Sequence, residues 1–182
     1  MSRVHLLGAS GSGTTTLGRA LAEELQFEFL DTDSFFWLTS DPPYRQRREL
    51  SERRRLLDTE LRRSERWVLS GSLCGWGDVF TPFFDLVVYL SAPTEIRLQR
   101  LAHRELARFG AARLGPGGDM HEQHREFLDW ARRYDDGDEG RSKRRHDEWL
   151  ECLPDSCKIV RLSGTAPVPE LVRAVSGVLC DR

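Results

Sequence analysis

The chain has 182 residues, 39% of them hydrophobic and 31% charged, with a net charge of −2. That is one domain's length with enough apolar material for one core, which excludes a multidomain assembly and an unstructured chain. The near-balanced charge gives no global attraction to nucleic acid or an anionic membrane, and no apolar run approaches the roughly 20 residues a spanning helix needs. Glycine interrupts the N-terminal segment Met1–Gly8 too early for a secretory signal, so a cytoplasmic protein is expected.

In chain order, Val4–Leu7 is a short apolar run ending at Gly8 and reads as a buried strand. A Gly/Ser/Thr stretch leads into a helix whose Leu17, Leu21 and Leu25 share a face. Phe27–Asp31 is a second strand, and an arginine-rich stretch from about Tyr44 to Arg63 is expected to be helical. Trp67–Gly71 is a third strand. Phe84–Leu90 is a fourth, with the continuous apolar run of a doubly covered parallel strand. Pro93 opens a helix to about Phe109, followed by a Gly/Pro segment over Gly110–Gly118 and two helical stretches, His121–Tyr134 and Arg141–Cys152. Ile159–Leu162 is the last strand and Pro169–Leu179 the last helix. Strands alternating with helices imply one α/β domain, three-layered, with a five-stranded parallel sheet. The region about 34–66 is expected to bind an acceptor, and the region about 105–141 to form a helical lid.

Gly8-Ala9-Ser10-Gly11-Ser12-Gly13-Thr14-Thr15 fits the phosphate-loop pattern G-x-x-x-x-G-K-[ST] at every position but one, and it stands between a strand and a helix as the pattern requires. Its glycines let successive N–H groups converge, and the following helix adds its positive end. Gly8, Ser10, Gly11, Ser12, Gly13, Thr14, Thr15 and Thr16 are therefore the expected ATP-binding residues, with the Thr15 hydroxyl on Mg²⁺. Thr14 stands where lysine is expected, and it brings no charge to a migrating phosphoryl group.

Gly8–Ala22 resembles the start of the P-loop kinases that include adenylate, shikimate and gluconate kinase. The chain is similar to a bacterial subgroup of them with Thr in place of the loop lysine. Leu30-Asp31-Thr32-Asp33 resembles that group's Asp-x-Asp after the second strand. The resemblance implies that these carboxylates serve Mg²⁺ (Asp31) and the acceptor hydroxyl (Asp33). It also implies that Ser70, Gly71 and Ser72 form an acceptor loop, and that the helix after Pro93 carries lid arginines. The Asp-Gly-Phe-Pro-Arg segment of true adenylate kinases is absent, which disfavours AMP as acceptor.

Asp31 and Asp33, two apart in an extended chain, are expected to face the same way; an Asx-type turn or helix cap is the alternative. Phe36, Trp37 and Trp76 suit an aromatic-lined acceptor pocket or, equally, core packing. Arg100 and Arg104 share a helix face and Arg141 ends the lid. All three are candidates to supply the charge that Thr14 lacks. Arg45–Arg55 is interleaved with Glu49 and Glu52 and reads as a solvated mixed-charge helix, not a nucleic-acid surface. The four cysteines form no C-x-x-C pair, and His121-Glu122-Gln123-His124 has the wrong spacing for a zinc helix. A chain without asparagine cannot select guanine by Asn-Lys-x-Asp, and no apolar strand ends in Asp-Glu as in ring ATPases. Two readings stand. One is an ATP- and Mg²⁺-dependent kinase, monomeric or homodimeric, acting on a nucleotide, nucleoside or sugar-like acceptor and binding neither nucleic acid nor membrane. The other is a nucleotide-binding regulatory protein that transfers nothing efficiently.

Overall fold

The structure is a computed structural model and describes residues 2–137 and 141–180. Five strands, β1 (Arg3–Gly8), β2 (Glu28–Asp31), β3 (Trp67–Ser70), β4 (Leu86–Ser91) and β5 (Lys158–Ser163), form one parallel sheet in the order β2-β3-β1-β4-β5. The helices are α1 (Thr14–Leu25), α2 (Thr32–Phe36), α3 (Leu50–Arg63), α4 (Thr94–Leu114), α5 (His121–Arg132), α6 (Lys143–Glu151) and α7 (Val168–Cys180), and Asp78–Phe83 is a 3₁₀ turn.

Strand alternation sends side chains to two cores. Leu7, Trp67, Leu69, Val87 and Tyr89 pack under Leu57 and Leu61 of α3 and Trp149 and Leu150 of α6. Val4, Leu6, Val68, Leu86 and Val88 pack against Leu17 and Leu21 of α1 and Leu171 and Val175 of α7. The three α/β/α layers are those expected. The middle strands are buried on both faces, which is why they read as unbroken apolar runs. The chain moves to one side of β1 for β2 and β3 and to the other for β4 and β5. The carboxyl end of β1 therefore faces the crevice where ligands bind in such sheets.

Three local expectations are corrected. The helix expected from Tyr44 starts at Leu50. Residues 37–48 instead fold back on themselves: Leu38 N–H donates to Gln46 O, Arg48 N–H donates to Phe36 O, and Trp37 bridges Arg47. Residue 32 is not extended, because Asp31 caps α2 and Asp33 lies in its first turn, so strand alternation does not govern the pair. The expected break at Gly110 is a kink (φ 78°, ψ 158°) within a helix that runs on to Leu114. Of the lid stretch, Asp138-Glu139-Gly140 lie outside the described residues.

Candidate active site

The loop between β1 and α1 has the shape its glycines allow. Gly11 (φ +82°) and Gly13 (φ +105°) occupy the left-handed region that a side chain would strain. Ser12 N–H closes a turn on Ala9 O at 3.0 Å. Among the described residues, the N–H groups of Gly11, Gly13, Thr14, Thr15 and Thr16 have no backbone acceptor, the arrangement of an anion nest at a helix N-terminus. Ser12 is fully buried, its hydroxyl has no partner and its N–H is taken by Ala9 O, so it shapes the loop and offers no group to a ligand.

Asp31 performs two tasks with two oxygens. Oδ1 accepts the Asp33 N–H at 3.0 Å, capping α2, and Oδ2 accepts the Thr15 hydroxyl at 3.5 Å. Cap and candidate metal ligand are thus not exclusive. Burial pushes the Asp31 carboxyl above its ordinary pKa, opposed by the bond from Asp33 N–H. A half-buried carboxylate beside a hydroxyl is an all-oxygen pair suited to Mg²⁺, whose charge would offset that desolvation. Thr32 and Ser70 lie beneath this point with buried, unpartnered hydroxyls. Gly71 (φ +111°) follows, with its N–H on Leu6 O, and a Cβ there would collide with Thr32 Oγ1.

Of the three arginines expected to supply charge, Arg100 alone lies against the phosphate loop, on its outer side. Arg100 Nη1 donates to Gly164 O at 2.9 Å and, at greater length, to the carbonyls of Gly11 and Ser12. Arg104 pairs with Glu105 at 3.0 Å. Arg141 lies over the Phe36 ring, 5.6 Å from its centroid. Arg97 shares their helix but is fully buried. Its guanidinium bonds Ala92 O, Ala131 O and Asp135, tying α4 to the end of α5.

The acceptor side holds an arrangement the sequence reading missed. Phe36 is met by Arg53 at 4.0 Å, Arg47 at 5.9 Å and Arg141 at 5.6 Å. Among the described residues none of these three guanidinium groups has a carboxylate within ion-pair reach. By contrast, Arg48, just ahead of α3, pairs with Glu52 of its first turn. Burial, then Arg47, lowers the pKa of Arg53, partly opposed by the charge of Glu49. Trp37 is half-buried and stacks edgewise on Phe36 and Tyr44. Trp76 belongs to the core, with Nε1–H on Ser72 O. The fold-back is fastened to the α4–α5 pair: Asp41 meets Arg113 at 2.7 Å, Arg45 Nε donates to Gln123 Oε1, and Arg108 donates to the Tyr44 hydroxyl.

Ser72 turns away from the crevice. Its hydroxyl meets His146 Nε2 at 3.1 Å, and His146 Nδ1 meets the Tyr134 hydroxyl at 2.7 Å, which meets Tyr89 at 3.0 Å. Burial, then the charge of Arg141, lowers the His146 pKa to about 4, and burial raises that of Tyr134. The chain joins the acceptor loop to the end of α5. His146 was legible only as a lone histidine on a helix. All four cysteines are free, and burial pushes Cys74 up to about 11, an unreactive thiol.

The family described as AAA domain matches residues 4–108. The uncharacterized protein YqaC of Bacillus subtilis (strain 168) is 46% identical over 94% of both chains. A shikimate kinase of Azobacteroides pseudotrichonymphae genomovar. CFP2 is 30% identical over 59% of this chain and 70% of its own. Among solved structures, shikimate kinase from Acinetobacter baumannii in complex with shikimate superimposes with a TM-score of 0.60 at 21% identity, covering 98% of this chain and 93% of that one, a likeness of fold. No described helix is long and apolar enough to cross a membrane.

Proposed function

Because the chain belongs to the AAA-domain family and has the fold of shikimate kinase-like P-loop kinases, we propose that it is an ATP-dependent phosphotransferase whose acceptor is a small anionic molecule. The observation that carries the acceptor class is the group of Arg47, Arg53 and Arg141 around Phe36, on the helix that also carries Asp33. Three like charges held together without a direct ion pair are costly unless a ligand's negative charge answers them. Arginine forks bind carboxylate or phosphate with two hydrogen bonds each. This favours a nucleotide, a sugar acid or another hydroxy acid over a neutral nucleoside or sugar. Gly8–Thr16 would receive the ATP phosphates at the free N–H groups of the nest, with Ser12 holding the turn that shapes it. Thr15 and Asp31 would hold Mg²⁺, which supplies charge neutralisation at the phosphates. Asp33 would accept the proton of the acceptor hydroxyl. Phe36 and Trp37 would line the acceptor pocket, with Ser70, Gly71, Ser72 and Trp76 shaping its floor from within the fold.

One observation favours the second reading, a nucleotide-binding protein without efficient transfer. Thr14 is uncharged, Arg100 is held on backbone carbonyls at the outer side of the loop, and Arg104 is paired with Glu105. Incubation with γ-labelled ATP, Mg²⁺ and a panel of carboxylated, phosphorylated and neutral hydroxyl compounds separates the readings. Label on an anionic acceptor supports the kinase. Label on neutral compounds alone overturns the acceptor class. Tight ATP binding with no label on any compound supports the regulatory reading.

A further inference from the structure

We propose that Arg100 is a positioning residue for nucleotide binding, acting on the phosphate loop from its outer side and not on a phosphate. The inference rests on the reading that a nucleotide occupies Gly8–Thr16. It concerns how a loop without its lysine is made attractive to an anion.

Three segments converge at Arg100. The loop lies directly on the first turn of α4, where a Cβ on Gly11 would stand 2.7 Å from Arg97 O. Gly164, just after β5, lies against the same loop so closely that a Cβ there would collide with Ser12 O. Arg100, one turn along α4, fills the junction. Its Nη1 donates to Gly164 O at 2.9 Å, to Gly11 O at 3.4 Å and to Ser12 O at 3.5 Å. Among the described residues no carboxylate lies within ion-pair reach of it, so its charge is not cancelled by a neighbour.

The carbonyls it meets belong to the peptide units that build the nest. Ser12 C=O shares a peptide plane with Gly13 N–H, and Gly11 C=O with Ser12 N–H. Ser12 N–H is already spent on Ala9 O, whereas Gly13 N–H is free. A cation on a carbonyl oxygen draws density from that peptide and makes its N–H a stronger donor, as in any polarised hydrogen-bond chain. It also fixes the plane's orientation, so the free N–H need not be reordered when the ligand arrives. Both effects act on whatever phosphate sits in the nest, with or without a γ-phosphate. That separates this role from an arginine that meets the transferring group.

The test is calorimetric titration of MgADP and MgATP into the wild-type chain, Arg100→Ala and Arg100→Lys, with thermal melts of each unliganded protein. Arg100→Ala should weaken both nucleotides by the same factor, about tenfold, the worth of roughly one charge-assisted contact. Arg100→Lys should keep most of both affinities, because an ammonium still reaches a carbonyl. Melting temperatures should stay close, since Arg100 is exposed. Unchanged affinities in Arg100→Ala, whether or not melting falls, would overturn the proposal. So would a loss confined to ATP, which would put the guanidinium on the γ-phosphate, or a Lys variant as weak as the Ala variant. A wild-type chain that binds neither nucleotide would instead overturn the site reading beneath it.

Discussion

Lowering the pH from 8 to 5 should remove roughly 4 kcal/mol of folding stability, and two buried histidines account for it. His5 is fully buried in β1, stacked on Phe84 at 4.9 Å, with Nδ1 on Leu69 O and Nε2 unpartnered. Burial lowers its pKa from 6.5 to about 3. His146 is fully buried between Ser72 and Tyr134, and its pKa falls from 6.5 to about 4. A depressed histidine pKa means the unfolded chain binds the proton more tightly. Stability is therefore full above 6.5 and declines as pH falls through 6.5 toward the folded values. At pH 5 the unfolded histidine is almost wholly protonated and the folded one hardly at all, a difference of about 2 kcal/mol per residue. Urea unfolding at pH 8, 6.5 and 5 measures this as a falling midpoint at constant slope. His5→Gln should halve the pH dependence whatever it does to the baseline. A flat profile from pH 8 to 5 would refute the neutral, buried state of both rings.

Three further outcomes follow from the geometry. Gly71→Ala forces a side chain into φ +111° and into Thr32 Oγ1, so melting should reveal a loss of about 1–3 kcal/mol or more. Asp31→Asn removes a carboxylate that burial disfavours while keeping a helix cap. It should leave the melting temperature within a few degrees, yet raise the Mg²⁺ concentration needed for ATP binding by roughly tenfold or more; an unchanged Mg²⁺ requirement would leave Asp31 a cap alone. Thr14→Lys should increase turnover if the loop lacks a cation at the transferring group, and steady-state kinetics that show no gain would mean another group already supplies it.

The strands and the phosphate loop were legible because each is specified locally. Val4–Gly8 and Phe84–Leu90 are apolar runs with no competing period, and the glycine spacing of the loop admits few other conformations. The acceptor side was not legible, because its residues meet only through the fold. Arg45–Arg55 has the composition of a solvated helix, yet Arg48 lies ahead of α3 and reaches both Glu52 and the Phe35 carbonyl. Nothing in the spacing says that Arg47 lies outside the helix, across from Arg53, or that Arg141 arrives from the far end of the lid. Tyr44 takes a left-handed backbone (φ 64°) that ends any helix there, and its residue type does not announce it. The separate engagements of the α4 arginines were not legible for a related reason. Helical spacing correctly groups Arg97, Arg100 and Arg104, but it cannot say which is buried under Tyr134 and which lies against the loop.

The most direct test of the anionic-acceptor account is phosphoryl transfer from γ-labelled ATP to the compound panel, compared between the wild-type chain, Arg53→Ala and Arg141→Ala. The account predicts label on a carboxylated or phosphorylated hydroxyl compound. It also predicts an acceptor KM raised by roughly ten- to a hundredfold in each variant, with ATP affinity unchanged, since each loses one charge-assisted anion contact. Transfer to a neutral acceptor with the same KM in all three proteins would contradict it.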